Sequence, residues 1–104
     1  MADSHFPPEI AGLPAFDRPF DAFRLGAEGC EVLFASYPAG TSIEPHRRPS
    51  NNVGVITAGR LVLTMDGQQR TFGVGEWYHV PAGAEHAADF PEESAEIEFW
   101  FAPD

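Results

Sequence analysis

The sequence predicts an all-β domain, and three observations carry that reading. Ten Pro and ten Gly divide the 104 residues into short apolar runs, the pattern of many strands joined by turns. Two dipeptides, Ala58-Gly59 and Asp66-Gly67, lie between β-rich runs where hairpins turn. The last run alternates Glu96, Glu98 and Trp100 with Ile97, Phe99 and Phe101, the period-two signature of a strand with one apolar face. No stretch carries a convincing helical period, none is repeated and none is of low complexity.

Residues 1–15 hold Pro7, Pro8, Gly12 and Pro14 and predict an extended N-terminal arm. Phe16, Phe20 and Phe23 mark short strand-like pieces around Pro19. A stronger strand at 31–37 is ended by Pro38-Ala39-Gly40. Pro45 and Pro49 bracket an extended stretch that holds His46 and Arg48. Runs at 53–57 and 60–65 flank the first turn, and 69–72 follows the second. Residues 77–80 form another strand, stopped by Pro81-Ala82-Gly83, and the alternating run closes the chain. About eight short antiparallel strands result, as in a jelly roll, which limits exposed edges by pairing two sheets. The placement of Trp77 and Trp100 stays open: they could line a pocket, although large aromatics on sheets are usually core.

The length fits one domain, 1–104, burying roughly 60–65% of its unfolded surface. A hydrophobic content of 43% with nine Phe separates it from disordered chains. Sixteen acids against six bases leave a formal charge of −10. No basic patch can be assembled from that set, which argues against nucleic-acid binding and against anionic membrane surfaces. The acidity reads as solubility. All six bases are Arg, so Schiff-base, P-loop and general-base lysines are excluded. Cys30 is the single cysteine; an intrachain disulfide and a cysteine-rich zinc site are impossible, and a small buried apolar role is expected for it. The start lacks a basic segment with an apolar stretch behind it, and no apolar run reaches membrane-spanning length, so a cytoplasmic location is expected.

Two spaced blocks carry the chemistry. The first runs Gly40, His46, Arg48, Asn52, Gly59; the second runs Gly75, Glu76, Val80, Pro81, Gly83, His86. Gly40, Gly59, Gly75 and Gly83 all fall at strand ends, where positive φ or close backbone approach is wanted. If 46–52 is extended, His46, Arg48 and Asn52 point to one face. In order and spacing the two blocks resemble the motifs of the small single-domain cupins, over residues 40–90. Phe90 departs from that pattern, standing where Asn is often found. The resemblance implies a jelly-roll barrel of two antiparallel sheets, with His86 opposite the other three residues in the barrel mouth. It also implies a divalent metal held by His, His, Glu or Gln, and His. The corresponding residues here are His46, Arg48, Asn52 and His86, so half of the ligand set has changed.

That change opens three readings. In the first, the pocket binds a small anionic molecule, a carboxylate or sugar-acid-like ligand: Arg48 grips the carboxylate, Asn52 orients it, and His46 or His86 exchanges protons. In the second, which follows from the resemblance, the chain is a metal-dependent isomerase, lyase or dioxygenase. His46, His86 and Asn52 would then hold one zinc, iron, nickel, manganese or copper ion, with Arg48 swung outward because a guanidinium has no lone pair to give. In the third, the domain is a non-enzymatic sensor or partner-binding module. The face taken by His79 stays open. Glu44, Glu76 and Glu85 lie near the motifs, Glu76 as a solvated turn residue, and no paired-carboxylate arrangement is evident. An apolar arm with Phe6, Ile10, Leu13 and Phe16 points to a homodimer, since small cupins usually pair their sheets.

Overall fold

A computed structural model describes residues 12–15 and 21–102. Among them the chain forms nine strands and no helix. They are β1 (Asp21–Ala27), β2 (Cys30–Tyr37), β3 (Thr41–His46), β4 (Asn51–Ala58), β5 (Arg60–Met65), β6 (Gln68–Gly73), β7 (Trp77–Val80), β8 (His86–Phe90) and β9 (Ser94–Phe101). Most of the predicted arm, including Phe6 and Ile10, and also Phe16 and Phe20, lies outside the described residues.

The strands make two antiparallel sheets, ordered β1-β2-β9-β4-β7 and β3-β8-β5-β6. Turn chemistry sets the joins. Asp66 and Gly67 both take positive φ, 55° and 74°, and close β5 on β6 with Met65 opposite Gln68, the two-residue hairpin that matches strand twist. Gly59 turns β4 into β5 at φ 69°. A Cβ there would collide with Ser94 Oγ and the Glu93 carbonyl, so only glycine fits. Pro45 lies in β3, an edge strand that can spare its N–H. The register of β3 on β8 slips between Ile43 and His46, and the slip sets His46 directly opposite His86.

The two inner faces meet in a core that includes Ala35, Ile56, Leu61, Leu63, Val80 and Phe90. Phe90 stacks on Tyr37 with ring centroids 3.9 Å apart and planes 7° from parallel. Each fully buried large side chain stabilises the fold by about 1.5–3 kcal/mol relative to exposure. Phe90, standing where the family motif often has Asn, is one of the most deeply buried of these.

The structure decides one face that the alternation left open and corrects another. The apolar side of β9 is not the one that enters the barrel. Glu96 and Glu98 are each only 3% exposed, and Ile97 and Phe99 turn outward to half-buried positions. The outer face of the five-stranded sheet is consequently apolar, with Leu25, Trp77 and Phe101 exposed. Trp77 packs there against Phe99 at 6.1 Å. Residues 46–52 are likewise not one extended run. His46 ends β3 in one sheet and Asn52 begins β4 in the other, with the chain crossing between them at 47–50. Cys30 is half-buried, rather than a core residue.

Candidate functional site

A cavity of ≈ 710 Å³ opens between the sheets. His46, Arg48, Asn52 and His86 all line it, although they reach it from three strands and a loop. The loop is pinned to the turn before β8: Gly83 N donates to Arg48 O at 2.8 Å, Arg47 Nη1 donates to Gly83 O at 2.8 Å, and Ala82 N donates to Asn51 Oδ1 at 3.0 Å. Arg47 is used up as a tether. Arg48 turns the other way, with its Cζ 5.9 Å from the Trp100 ring centre, a cation–π placement. None of the ion pairs among the described residues engages it.

His46 and His86 sit side by side on neighbouring strands, ring centroids 4.2 Å apart and planes tilted by 55°. The expected placement of His86 opposite the other three therefore holds for Asn52 but not for His46. His46 Nδ1 lies 2.9 Å from Glu44 O, and His86 Nδ1 lies 3.1 Å from Ala84 O. A carbonyl only accepts, so each Nδ1 carries the proton and each neutral ring offers Nε2 as an acceptor. Burial lowers the pKa of His86; its bond to Ala84 opposes that, and the charges of His46 and Arg48 add to the lowering. Asn52 is buried and donates from Nδ2 to Phe99 O at 3.2 Å. His79 is exposed on β7 and lines a different depression with Val53 and Met65.

The inner half of the cavity holds residues that the motif spacing does not reach. Glu96 and Glu98, two apart on β9, project into it beside Tyr37, Tyr78 and Trp100. Glu98 accepts hydrogen bonds from Tyr37 Oη and, at 3.0 Å, from Trp100 Nε1. Tyr78 Oη donates to Glu96 Oε1 at 2.9 Å, while buried Glu96 Oε2 has no hydrogen-bond partner. Burial drives the pKa of Glu96 well above the carboxylate range; the neighbouring Glu98 pushes it further, and the Tyr78 bond opposes. Burial, then the glutamate charges, likewise raise both tyrosines and keep them as donors. The sequence nominated no paired carboxylates; the fold brings Glu96 and Glu98 together on the inner face of β9.

A trace of this interior was present in the sequence. Gly54 interrupts the apolar run of β4, and a Cβ there would collide with the Tyr78 ring. A glycine inside a strand marks close approach, and what approaches is the ring whose hydroxyl reaches Glu96. Of the two tryptophans whose placement the sequence left open, Trp100 lines the cavity and Trp77 is exposed on the outer face. Glu76 is exposed and caps its own turn, accepting from Gly73 N at 2.6 Å.

The donor set suits a transition metal poorly. Two imidazole rings lie side by side, but among the described residues no three His, Cys, Asp or Glu side chains are grouped to share an ion. Arg48 adds a permanent positive charge where the third nitrogen ligand would stand.

The family model described as "Cupin domain" matches residues 33–101. No curated protein matches the chain in sequence. Solved structures of the same architecture include an RmlC-like cupin from Shewanella frigidimarina, 18% identical, with a TM-score of 0.79 over 95% of this chain and 91% of that one. A Cupin 2 conserved barrel domain protein from Salinispora arenicola is 24% identical, with a TM-score of 0.75 over 98% and 91%. KdgF from Halomonas sp. is 16% identical, with a TM-score of 0.76 over 86% of each chain. At these identities the likeness is one of fold.

Proposed function

The chain belongs to the cupin domain family, and from that premise we propose that its barrel binds a small hydroxy acid, a sugar-acid-like molecule carrying one carboxylate and several hydroxyls. The observation that carries this reading is the polarity of the lining. One cation without an ion pair, Arg48, stands at the exposed rim, and the acceptors around it are two imidazole Nε2 atoms and the Glu98 carboxyl. A guanidinium takes a carboxylate in two parallel hydrogen bonds. Acceptors facing the rest of the ligand call for O–H donors rather than for a second anion. Asn52 would orient the ligand between the two halves. The cavity volume lies within the range usual for small-molecule sites, about 300–1,000 Å³.

Ligand-observed NMR with a panel of uronates and aldonates tests the reading. Binding that is lost in Arg48→Ala supports it; binding unchanged by that substitution contradicts it. The metal-dependent reading, with His46, His86 and Asn52 as ligands, draws its support from the two unengaged Nε2 atoms. Elemental analysis of untagged protein separates the two: a near-stoichiometric metal lost in His86→Ala would favour it over an Arg48-centred site. The apolar outer face of the five-stranded sheet supports a homodimer in which a second copy covers Leu25, Trp77 and Phe101. A sedimentation mass near 11.3 kDa would contradict that assembly.

A further inference from the structure

We propose that Glu96 and Glu98 form an acid–base pair that moves a proton between carbon and oxygen of the bound acid. The inference rests on the hydroxy-acid reading of the cavity and adds a reaction to it, the enolisation of a hydroxy acid that carries an aldehyde or ketone group.

Three observations on the pair carry it. Both carboxyls are 3% exposed yet line a cavity large enough for a ligand. They are held unequally: Glu98 accepts from two donors, Tyr37 and Trp100, whereas Glu96 accepts from one, Tyr78, and its other neighbour is the Glu98 carboxyl itself. The remaining oxygen, Glu96 Oε2, is buried and unpartnered. Such an orphan is costly when nothing meets it. A proton on Oε2 makes it a donor, and a ligand carbonyl oxygen is the acceptor it lacks. Like charges in one dry site cannot both ionise easily, and the raised pKa of Glu96, from burial and then from Glu98, assigns the proton to that residue. The other titratable or charged groups lining the cavity are Glu31 and Tyr37 on β2, Tyr78 on β7, His46 on β3, His86 on β8 and Arg48 on the rim. Glu31 is engaged by Arg24 at 2.6 Å, and both tyrosines already donate to the pair.

The step balances. Glu98 takes the proton from the carbon beside the carbonyl, and the C–H electron pair becomes the C=C bond of an enediol. The carbonyl π pair moves to oxygen, which takes the proton of Glu96. Glu98 ends protonated, Glu96 ends ionised, and the charge of the pair is unchanged. Glu98 then gives its proton to the neighbouring carbon while Glu96 takes the proton of the second enediol hydroxyl, which becomes the new carbonyl, and both residues are restored.

Two measurements test the pair. In the unliganded protein at neutral pH, infrared spectroscopy should show one protonated carboxyl that disappears in Glu96→Gln. A wild-type spectrum with every carboxyl ionised overturns the pair without reference to any ligand or variant. With glucuronate or galacturonate in D2O, NMR should show deuterium entering the carbon beside the carbonyl. Glu98→Gln should slow that exchange by about 100-fold or more, measured with the acid saturating so that any loss of affinity is read separately. An acid that binds without exchanging overturns the pair and leaves the binding reading intact. If neither acid binds wild-type protein, the hydroxy-acid reading fails and takes the proposed reaction with it.

Discussion

At the rim of the cavity, His46, Arg48 and His86 come from segments bounded by Pro45, Pro49, Pro81 and Gly83, whereas in the interior Glu96, Glu98, Tyr78 and Gly54 stand within strands. The rim residues are held by a few backbone contacts of the crossing loop. The interior residues are held by sheet register: Gly54 lies opposite both Glu98 and Tyr78, and Ile56 lies opposite Glu96. Substitutions at the rim should therefore change binding and spare the fold, and substitutions in the interior should change both binding and stability.

The largest effect on stability is expected at Gly54. Gly54→Ala drives a methyl into the Tyr78 ring, and such overpacking costs about 1–3 kcal/mol. Chemical denaturation should place the loss near the upper end, because the displaced ring also drops its bond to Glu96. A neutral result would mean that the ring has room to move and that register does not fix the interior.

Tyr37→Phe comes next. It removes a donor from buried Glu98 and leaves an oxygen unsatisfied, at about 1–2 kcal/mol. Phe keeps the stacking on Phe90, so the change reports the hydroxyl alone. Unchanged stability would show that Glu98 does not depend on this bond.

Glu96→Gln should change the slope of stability with pH. The folded-state pKa of Glu96 is raised, so the native chain keeps a proton that the unfolded chain releases as pH climbs past the usual 4.5. The folded state holding more protons, stability falls over that rise, until the folded pKa is passed. Gln removes this loss: thermal melts should show the variant gaining on wild type from weakly acid to neutral pH, with the gain vanishing near pH 4. Parallel melting curves would contradict a protonated Glu96. His86 acts on the opposite limb: its lowered pKa means stability present above 6.5 is lost as pH falls through the depressed folded value.

The same comparison explains what could be read in advance. Most strands followed from turn chemistry, and Asp66-Gly67 and Gly59 take the positive φ their positions implied. The four rim residues followed from block spacing, although the reason offered, one extended run, was mistaken: the prolines mark a crossing between sheets. In β9 the alternation of Glu96, Glu98 and Trp100 with Ile97, Phe99 and Phe101 was visible, but a period of two says that the faces differ and not which one turns in. The usual preference for apolar residues inside points the wrong way here. Two tyrosine hydroxyls and the neighbouring Trp100 N–H satisfy most of what the buried carboxyls need, and the tyrosines come from β2 and β7, 61 and 18 residues away in sequence. Long-range satisfaction of this kind leaves no local mark except Gly54.

The smallest effect on stability belongs to the rim. Arg48→Ala, at an exposed loop position, should stay within about 0.5 kcal/mol of wild type. Its effect on binding is the most direct test of the account. Calorimetric titration of glucuronate, glucose and acetate into wild type and Arg48→Ala would be the measurement. The account predicts that glucuronate binds wild type at least about tenfold tighter than either fragment, the worth of one charge-assisted contact, and that Arg48→Ala reduces it to the level of glucose. Glucose binding wild type as tightly as glucuronate, or an affinity for glucuronate untouched by Arg48→Ala, would contradict a hydroxy-acid site built on Arg48.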